Sequence, residues 1–258
     1  MMGTVTVDVS GGVAHVTLVN PGKHNAMSRV MWRELRAAFL AISAQTHVRC
    51  VVIAGQGSNF SAGGDISEYP AFRFSEPLLR EFHEVDVWGG LQAMLDCNTP
   101  IIASIEGNCM GAGLGIASCC DIRLASNTAR FGAPIAKLGF PMAPREAALV
   151  NGAVGELIAR EMLLAASIFD APAMHQRGFL NRVCSDTDLQ PAVQAYADRI
   201  CLLAPNAAAM NKQSFSALNQ LIRAQTATNT IADAYRYADS GEHREGVMAF
   251  IEKRSPIF

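Results

Sequence analysis

The stretch Phe60-Ser61-Ala62-Gly63-Gly64-Asp65-Ile66 follows an apolar run, and a second stretch, Gly107-Asn108-Cys109-Met110-Gly111-Ala112-Gly113, follows another. Each apolar run is typical of a buried strand, so both stretches are predicted to be turns at strand ends. Residues without a bulky side chain let the backbone approach a ligand, and free N–H groups at a helix start carry partial positive charge. Two such donors that converge would form an oxyanion hole, which stabilises charge on a carbonyl oxygen. Either turn alone could equally be an ordinary surface turn, because turns are rich in glycine.

The spacing of apolar residues predicts a mixed α/β core followed by a helical end. Alternation on both sides of Gly11-Gly12 predicts a β-hairpin, and Ser28 is placed to cap the helix that follows. Further extended segments are predicted at 49–54, 101–105, 121–125 and 179–183. Helices dominate from about residue 143, and the clearest are predicted at 189–203, 206–221, 228–238 and 244–253. The stretch 67–82 is interpreted as irregular, either a mobile flap over a pocket or a packed surface loop.

Composition excludes several classes of protein. Half of the 258 residues are hydrophobic, the net charge is −2, and no basic run suggests nucleic acid as a partner. The start of the chain lacks the features of a signal peptide, and no apolar run is long enough for a membrane span. We therefore expect a soluble cytoplasmic protein. The seven cysteines have no CxxC pair and no metal-site spacing, so we expect reduced, mostly buried thiols and no bound metal.

Six segments, in the expected order, resemble those of the enoyl-CoA hydratase/isomerase (crotonase) superfamily. Besides the two glycine-rich turns they are 20–27 (NPGKHNAM), 120–125 (CDIRLA), 131–134 (FGAP) and 245–254 (EGVMAFIEKR). The resemblance implies an α/β fold, a right-handed spiral of strand-strand-helix units with a C-terminal helical region that mediates trimer formation. We place the spiral core at residues 1–187 and the helical region at 188–258. A homotrimer or a dimer of trimers is the expected assembly.

The resemblance also implies roles for individual residues. The backbone N–H groups of Gly64 and Ala112 fall on the positions that bind the thioester oxygen of an acyl-CoA substrate. Coenzyme A enters only as part of that substrate, and no other cofactor is implied. Residues expected to contact the substrate lie in the coenzyme A channel (Lys23, His24 and Ala26), at the turns (Ala62, Asp65, Ile66 and Gly111) and beyond them (Pro134 and Ile135). Lys253 is expected in the C-terminal helix, which in members of the superfamily often reaches the coenzyme A of a neighbouring subunit.

The superfamily's catalytic acids are not found where the resemblance places them. Hydratases use two glutamates, and the matching positions here hold Gly115 and Ile135, neither of which can transfer a proton. An aspartate used by other members would fall at Ala143. Glu146 is the first substitute candidate, although an acid in the first helical turn is also a common helix-stabilising arrangement. His83 is a second candidate, because histidine is a common acid–base residue near neutral pH, but most of its helix is expected to be a solvated face.

Several functions stay open at this point. The first is an atypical hydratase or isomerase acting through an oxyanion-hole-stabilised enolate. The second is an acyl-CoA decarboxylase, because loss of carbon dioxide from a malonyl-type thioester needs little beyond carbonyl polarisation. The third is a non-catalytic acyl-CoA-binding protein. A dinucleotide-binding oxidoreductase fits poorly, because the glycines after Gly111 lack the G-x-G-x-x-G spacing. The sequence does not identify the acyl group.

Overall fold

The computed structural model describes the backbone of residues 2–224 and 234–258 and the side chains of 2–218 and 234–258. Within these ranges the strands are β1 (Thr4–Ser10), β2 (Val13–Val19), β3 (Cys50–Gly55), β4 (Ile101–Ile105), β5 (Asn108–Met110), β6 (Ile122–Ser126), β7 (Arg130–Gly132), β8 (Ile168–Asp170) and β9 (Arg182–Cys184). Six of them form one sheet in the order β1-β2-β3-β4-β6-β9, in which only the β1–β2 pair is antiparallel. The others form a small sheet in the order β5-β7-β8.

The helices of the described residues lie between and after these strands. They are α1 (Arg29–Ser43), α2 (Glu76–Glu81), α3 (Trp88–Asp96), α4 (Ala112–Ser118), α5 (Pro144–Val154), α6 (Glu156–Leu164), α7 (Ala171–Gln176), α8 (Leu189–Cys201), α9 (Pro205–Ala224) and α10 (Gly241–Ile251). Short 3-10 turns occupy Ile66–Ala71, Ile135–Leu138 and Arg236–Asp239, and a π-helical turn at Phe82–Val87 runs into α3. None of these helices is both long and apolar enough to cross a lipid bilayer.

The predicted start of the chain is confirmed. Gly11 and Gly12 have φ of +57° and +82°, a backbone conformation that favours glycine, and they join β1 to β2. Ser28 caps α1, because its hydroxyl oxygen accepts a hydrogen bond of 3.2 Å from the backbone N–H of Met31. The buried strands predicted at 49–54, 101–105 and 121–125 are β3, β4 and β6, which lie side by side in the large sheet.

The interpretation of 67–82 as irregular is wrong in part. The segment begins inside the 3-10 turn at Ile66–Ala71, where the Asp65 side chain accepts from the N–H of Ser67, and it contains α2. Pro77 lies in the first turn of α2, where its missing N–H costs no hydrogen bond. Short helical turns of this length carry too little periodicity to be recognised from the sequence.

The C-terminal helices pack onto the α/β core. Leu189, Val193 and Ala197 of α8 lie against one face of the large sheet, and α10 packs against the turn at Ile135–Leu138. Residues 228–233 of the helix predicted at 228–238 lie outside the described residues, and the chain then forms the 3-10 turn at Arg236–Asp239. The division into residues 1–187 and 188–258 stays a prediction.

Candidate active site

The two glycine-rich turns lie side by side. The backbone N–H of Ser61 donates to Asn108 O at 2.8 Å, and the N–H of Met110 donates back to Ser61 O at 2.9 Å. A Cβ atom placed on Gly113, at the second turn, would lie 2.9 Å from Ser61 O of the first turn, closer than a real Cβ atom comes. Small residues at both turns therefore allow the two backbones to approach, as a shared binding point requires.

The N–H groups of Gly64 and Ala112 are available at this junction. Gly64 bridges to Met27 through its neighbours, since Met27 N–H donates to Gly63 O and Asp65 N–H donates to Met27 O. This pattern directs the N–H of Gly64 to the opposite side. Ala112 is the first residue of α4, so its N–H has no partner inside the helix. Neither N–H donates to an acceptor within the described part of the chain.

The side chain of Tyr69 lies against Gly64. A Cβ atom on Gly64 would lie 2.1 Å from Tyr69 Oη, so the tyrosine hydroxyl occupies the space that a side chain at position 64 would need. Tyr69 is buried, and burial raises the pKa of its hydroxyl while the Arg73 cation opposes that rise. The sequence does not single out Tyr69, because it is one of several aromatic residues in a stretch interpreted as irregular.

Behind Tyr69 lies the buried guanidinium of Arg73, of which only 1% is exposed. Its Cζ lies 4.5 Å from the centroid of the Tyr69 ring and 3.8 Å from that of Phe140, so aromatic rings contact the cation. Arg73 Nη2 donates to Tyr237 Oη at 3.3 Å. Burial raises the pKa of Tyr237 to about 12, against the opposing effect of Arg73.

Two histidines accept hydrogen bonds from Arg73. Its Nε lies 3.3 Å from His243 Nε2 and its Nη1 lies 3.3 Å from His83 Nε2. A guanidinium only donates, so both histidines present the lone pair of Nε2 and carry their proton on Nδ1. His243 Nδ1 donates to Ala238 O at 2.9 Å. Burial, assisted by the Arg73 cation, lowers the pKa of His243 to about 4.

His83 Nδ1 donates to Glu146 Oε1 at 2.6 Å, so Glu146 is joined to Arg73 through the imidazole ring. Glu146 lies in the first turn of α5, as predicted, and its carboxylate accepts the hydrogen bond from His83. The expectation that the helix carrying His83 presents mostly a solvated face is wrong in part. His83 and Asp86 are both buried, and Asp86 binds two arginines from α1.

The predicted coenzyme A loop adjoins the first glycine-rich turn. Ala62 N–H donates to His24 O at 2.9 Å. Lys23 Nζ lies 2.7 Å from Asp65 Oδ2 and 2.8 Å from Ser67 Oγ, so in this structure the lysine is paired with the turn. Burial acts to raise the pKa of Asp65, but the hydrogen bonds from Lys23 and Ser67 outweigh it and leave that pKa below its ordinary value. His24 is exposed and contacts Asn59, whereas Ala26 is buried.

The remaining predicted site residues are more scattered. Pro134 and Ile135 are half-buried at the turn that packs on α10, and Ile66 and Gly111 are half-buried beside the junction. Gly115 lies inside α4, where an added Cβ would be in ordinary contact with Leu91 at 3.9 Å. Lys253 is exposed and lies beyond the end of α10, with φ of +55°, so its predicted place within the helix is wrong.

Comparisons with known proteins agree with the resemblance found in the sequence. A profile of the enoyl-CoA hydratase/isomerase family matches residues 8–258. A probable enoyl-CoA hydratase of Mycobacterium leprae is 30% identical over 99% of this chain and 97% of its own length. A solved enoyl-CoA hydratase/carnithine racemase of Magnetospirillum magneticum has 34% identity and a TM-score of 0.82, covering 100% of this chain and 96% of that one.

A methylmalonyl-CoA decarboxylase solved with 2-nitronate-propionyl-CoA is also similar. It has a TM-score of 0.87 and 26% identity, and the match covers 100% of this chain and 99% of that one. The predicted fold class is thereby confirmed, since the mixed α/β chain has the crotonase fold of these structures. This chain belongs to the enoyl-CoA hydratase/isomerase family.

Proposed function

We propose that this protein is an enzyme that acts on an acyl-CoA thioester through an enolate-like state. The observation that carries the proposal is a pair of N–H groups, those of Gly64 and Ala112, which have no acceptor among the described residues and lie on two turns whose backbones are in contact. Donors fixed in this way stabilise negative charge that develops on a carbonyl oxygen, without reorganising as the charge forms. Family membership supports a thioester as the source of that oxygen.

The first candidate reaction is an atypical hydration or isomerisation. By resemblance, the two acidic positions of a hydratase are Gly115 and Ile135 here, so a proton would have to move through another group. Glu146 is the substitute that we propose. His83 acts as a positioning residue in this scheme, because both of its ring nitrogens are already engaged, with Glu146 and with Arg73.

Decarboxylation of a malonyl-type thioester is the second candidate. Two solved methylmalonyl-CoA decarboxylase structures are similar, at TM-scores of 0.87 and 0.86 and 26% identity each. Loss of carbon dioxide generates the enolate directly, so a site with strong carbonyl polarisation and no free base suits this reaction. Asp65 and Glu146 are both held by basic side chains in the structure, which favours a site without a free base.

Binding distinguishes the proposal from unrelated functions. Calorimetry with acetyl-CoA and with acetate should show binding of the thioester only, because the loop from Lys23 to Ala26 would contact the nucleotide portion. Equal binding of both, or binding of neither, contradicts the proposal. Thioester binding with no turnover of crotonyl-CoA, malonyl-CoA or methylmalonyl-CoA would instead identify a non-catalytic acyl-CoA-binding protein.

A further inference from the structure

We propose that the Tyr69 hydroxyl is the proton donor to the α-carbon of the enolate, and that the substrate is a malonyl-type (2-carboxyacyl) thioester. This inference rests on the proposed function and deepens it. Its starting point is the position of Tyr69 Oη, which lies where a side chain of Gly64 would otherwise be.

That position places the hydroxyl beside the thioester. The amide nitrogen and the Cβ position of Gly64 are both bonded to its Cα, and Tyr69 Oη lies 2.1 Å from that Cβ position, so the hydroxyl lies close to the N–H of Gly64 and to whatever that N–H binds. In the proposed complex the N–H of Gly64 binds the thioester oxygen, and the α-carbon is one bond beyond the carbonyl carbon. The Tyr69 hydroxyl makes no hydrogen bond with any residue that the structure describes, so its proton is available.

The surroundings suit a donor that is protonated before the reaction. Burial disfavours the phenolate in the resting site, which keeps the proton in place at neutral pH. The Arg73 guanidinium lies 4.5 Å from the ring centroid and stabilises the phenolate once the proton has left. Decarboxylation requires Tyr69 only to donate a proton, whereas removal of an α-proton would require a base. A decarboxylation therefore fits the site better.

Decarboxylation precedes protonation of the α-carbon. The bond between the α-carbon and the carboxylate carbon breaks, its electron pair enters the enolate, and carbon dioxide leaves. The Tyr69 O–H bond then breaks, and its proton forms the new C–H bond at the α-carbon as the enolate returns to a thioester. The resulting phenolate takes a proton from solvent water before the next turnover.

Turnover of malonyl-CoA and methylmalonyl-CoA by the wild type and by Tyr69→Phe tests this assignment. We expect turnover by the variant to fall about a hundredfold or more, the usual contribution of a general acid, with thioester binding by calorimetry retained. Tyr196→Phe on α8 removes a hydroxyl remote from the junction and should leave turnover unchanged. In D₂O the wild type should place deuterium in propionyl-CoA with one configuration in excess, and Tyr69→Phe should lose that excess.

Several outcomes overturn the inference. If Tyr69→Phe keeps wild-type turnover and configuration, Tyr69 is not the donor, although the proposed function stands. Tyr237→Phe removes the other tyrosine hydroxyl near Arg73, the one that accepts its hydrogen bond. If that variant loses turnover and the excess of one configuration to the same extent, the effect belongs to the surroundings of Arg73 and not to the Tyr69 hydroxyl. Wild-type binding without decarboxylation contradicts the substrate class, and absence of thioester binding contradicts the proposed function as well.

The geometry has a test that does not depend on activity. Gly64→Ala should lower the melting temperature, because the new methyl group would lie 2.1 Å from Tyr69 Oη. Gly64→Ala combined with Tyr69→Phe should recover most of that loss, since the next ring atom is 3.2 Å away. Strictly additive effects of the two substitutions would show that the hydroxyl does not lie against Gly64.

Discussion

At the scale of single residues, Gly115 and Ile135 bear on the reaction type. Gly115 is buried in α4 and has room for a Cβ in ordinary contact with Leu91, while Ile135 is half-buried and packs against the main hydrophobic cluster. Neither side chain can move a proton to or from water. If their positions are those of the hydratase acids, as the resemblance implies, the chain lacks both groups of the familiar hydration mechanism.

We predict that crotonyl-CoA hydration by the wild type is at least about a hundredfold slower than by a hydratase with both acids, because one general acid–base group contributes that much. The rate of hydration is measured from the decrease in absorbance of the enoyl thioester in the steady state. A comparable rate would mean that another residue transfers the proton, and Glu146→Gln would then be the first variant to measure. Gly115→Glu combined with Ile135→Glu should raise hydration, provided Leu91 can move aside.

His243 predicts how stability depends on pH. Burial and the Arg73 cation lower its folded-state pKa to about 4 from the ordinary 6.5. Below pH 6.5 the unfolded chain therefore binds a proton that the folded chain does not, so this contribution to stability is present above 6.5 and is lost as the pH falls towards 4. Between pH 7 and pH 5 we expect His243 to account for a loss of about 1 to 2 kcal/mol.

Urea unfolding of the wild type and of His243→Gln at both pH values measures this contribution. Glutamine can still donate to Ala238 O and accept from Arg73, but it does not titrate. The variant should therefore lose less stability than the wild type on acidification. An equal loss in both proteins would show that other groups, chiefly carboxylates, control the acid dependence.

At the scale of elements, α10 and the turn at Ile135–Leu138 pack closely because Gly246 lies in the helix and Gly139 directly follows the turn. A Cβ on Gly246 would lie 2.3 Å from the backbone carbon of Leu138, and one on Gly139 would lie 2.0 Å from Glu242 O. Gly139 also has φ of +71°, which disfavours other residues. This contact keeps His243 of α10 in hydrogen-bonding distance of Arg73, so the docking of α10 completes the buried cluster.

We predict that Gly246→Ala lowers the free energy of unfolding by about 1 to 3 kcal/mol, because the added methyl group meets backbone that cannot turn aside. Gly241→Ala, in the same helix, is the matched control: an added Cβ there meets nothing within 4 Å. Denaturant unfolding of both variants gives the comparison. If the two substitutions have the same effect, helix propensity rather than packing against Leu138 is responsible.

At the scale of the whole molecule, nine of the eighteen exposed large apolar residues in the described part of the chain lie within residues 188–258. Met210, Phe215 and Leu218 of α9 are each more than half exposed, as is Phe250 of α10. Ile251 is also exposed and Met248 is half-buried. The side chains of Leu221 and Ile222, further along α9, lie outside the described residues. Apolar side chains left exposed on these helices favour a subunit interface there.

We predict that the protein is a trimer, or a hexamer of two trimers, in solution. Light scattering at micromolar concentration measures the mass directly. Phe215→Glu combined with Leu218→Glu should weaken the assembly, because it buries two charges at the expected interface. Arg177→Glu, at an exposed position directly after α7 in the α/β core, is the charge-changing control. A monomeric wild type would contradict the prediction.

The sequence by itself determined the features that depend on near neighbours along the chain. Alternating and continuous apolar runs located β1 to β4 and β6, Ser28 marked the start of α1, and the glycines indicated the turns. Six short segments in order were enough to indicate the family. These signals survive in the sequence because strand pairing, helix capping and close backbone approach each restrict residue type at fixed, short spacings.

Only the tertiary structure decided which side chains meet. Arg73 and His243 are 170 positions apart, and His83 and Glu146 are 63 apart, yet each pair is hydrogen-bonded. No local pattern predicts that Tyr69 fills the space beside Gly64, because the contact depends on the path of the 3-10 turn between them. The pKa of His243 is lowered by its burial and by its proximity to the Arg73 cation. Both arise only once the distant segments have packed together.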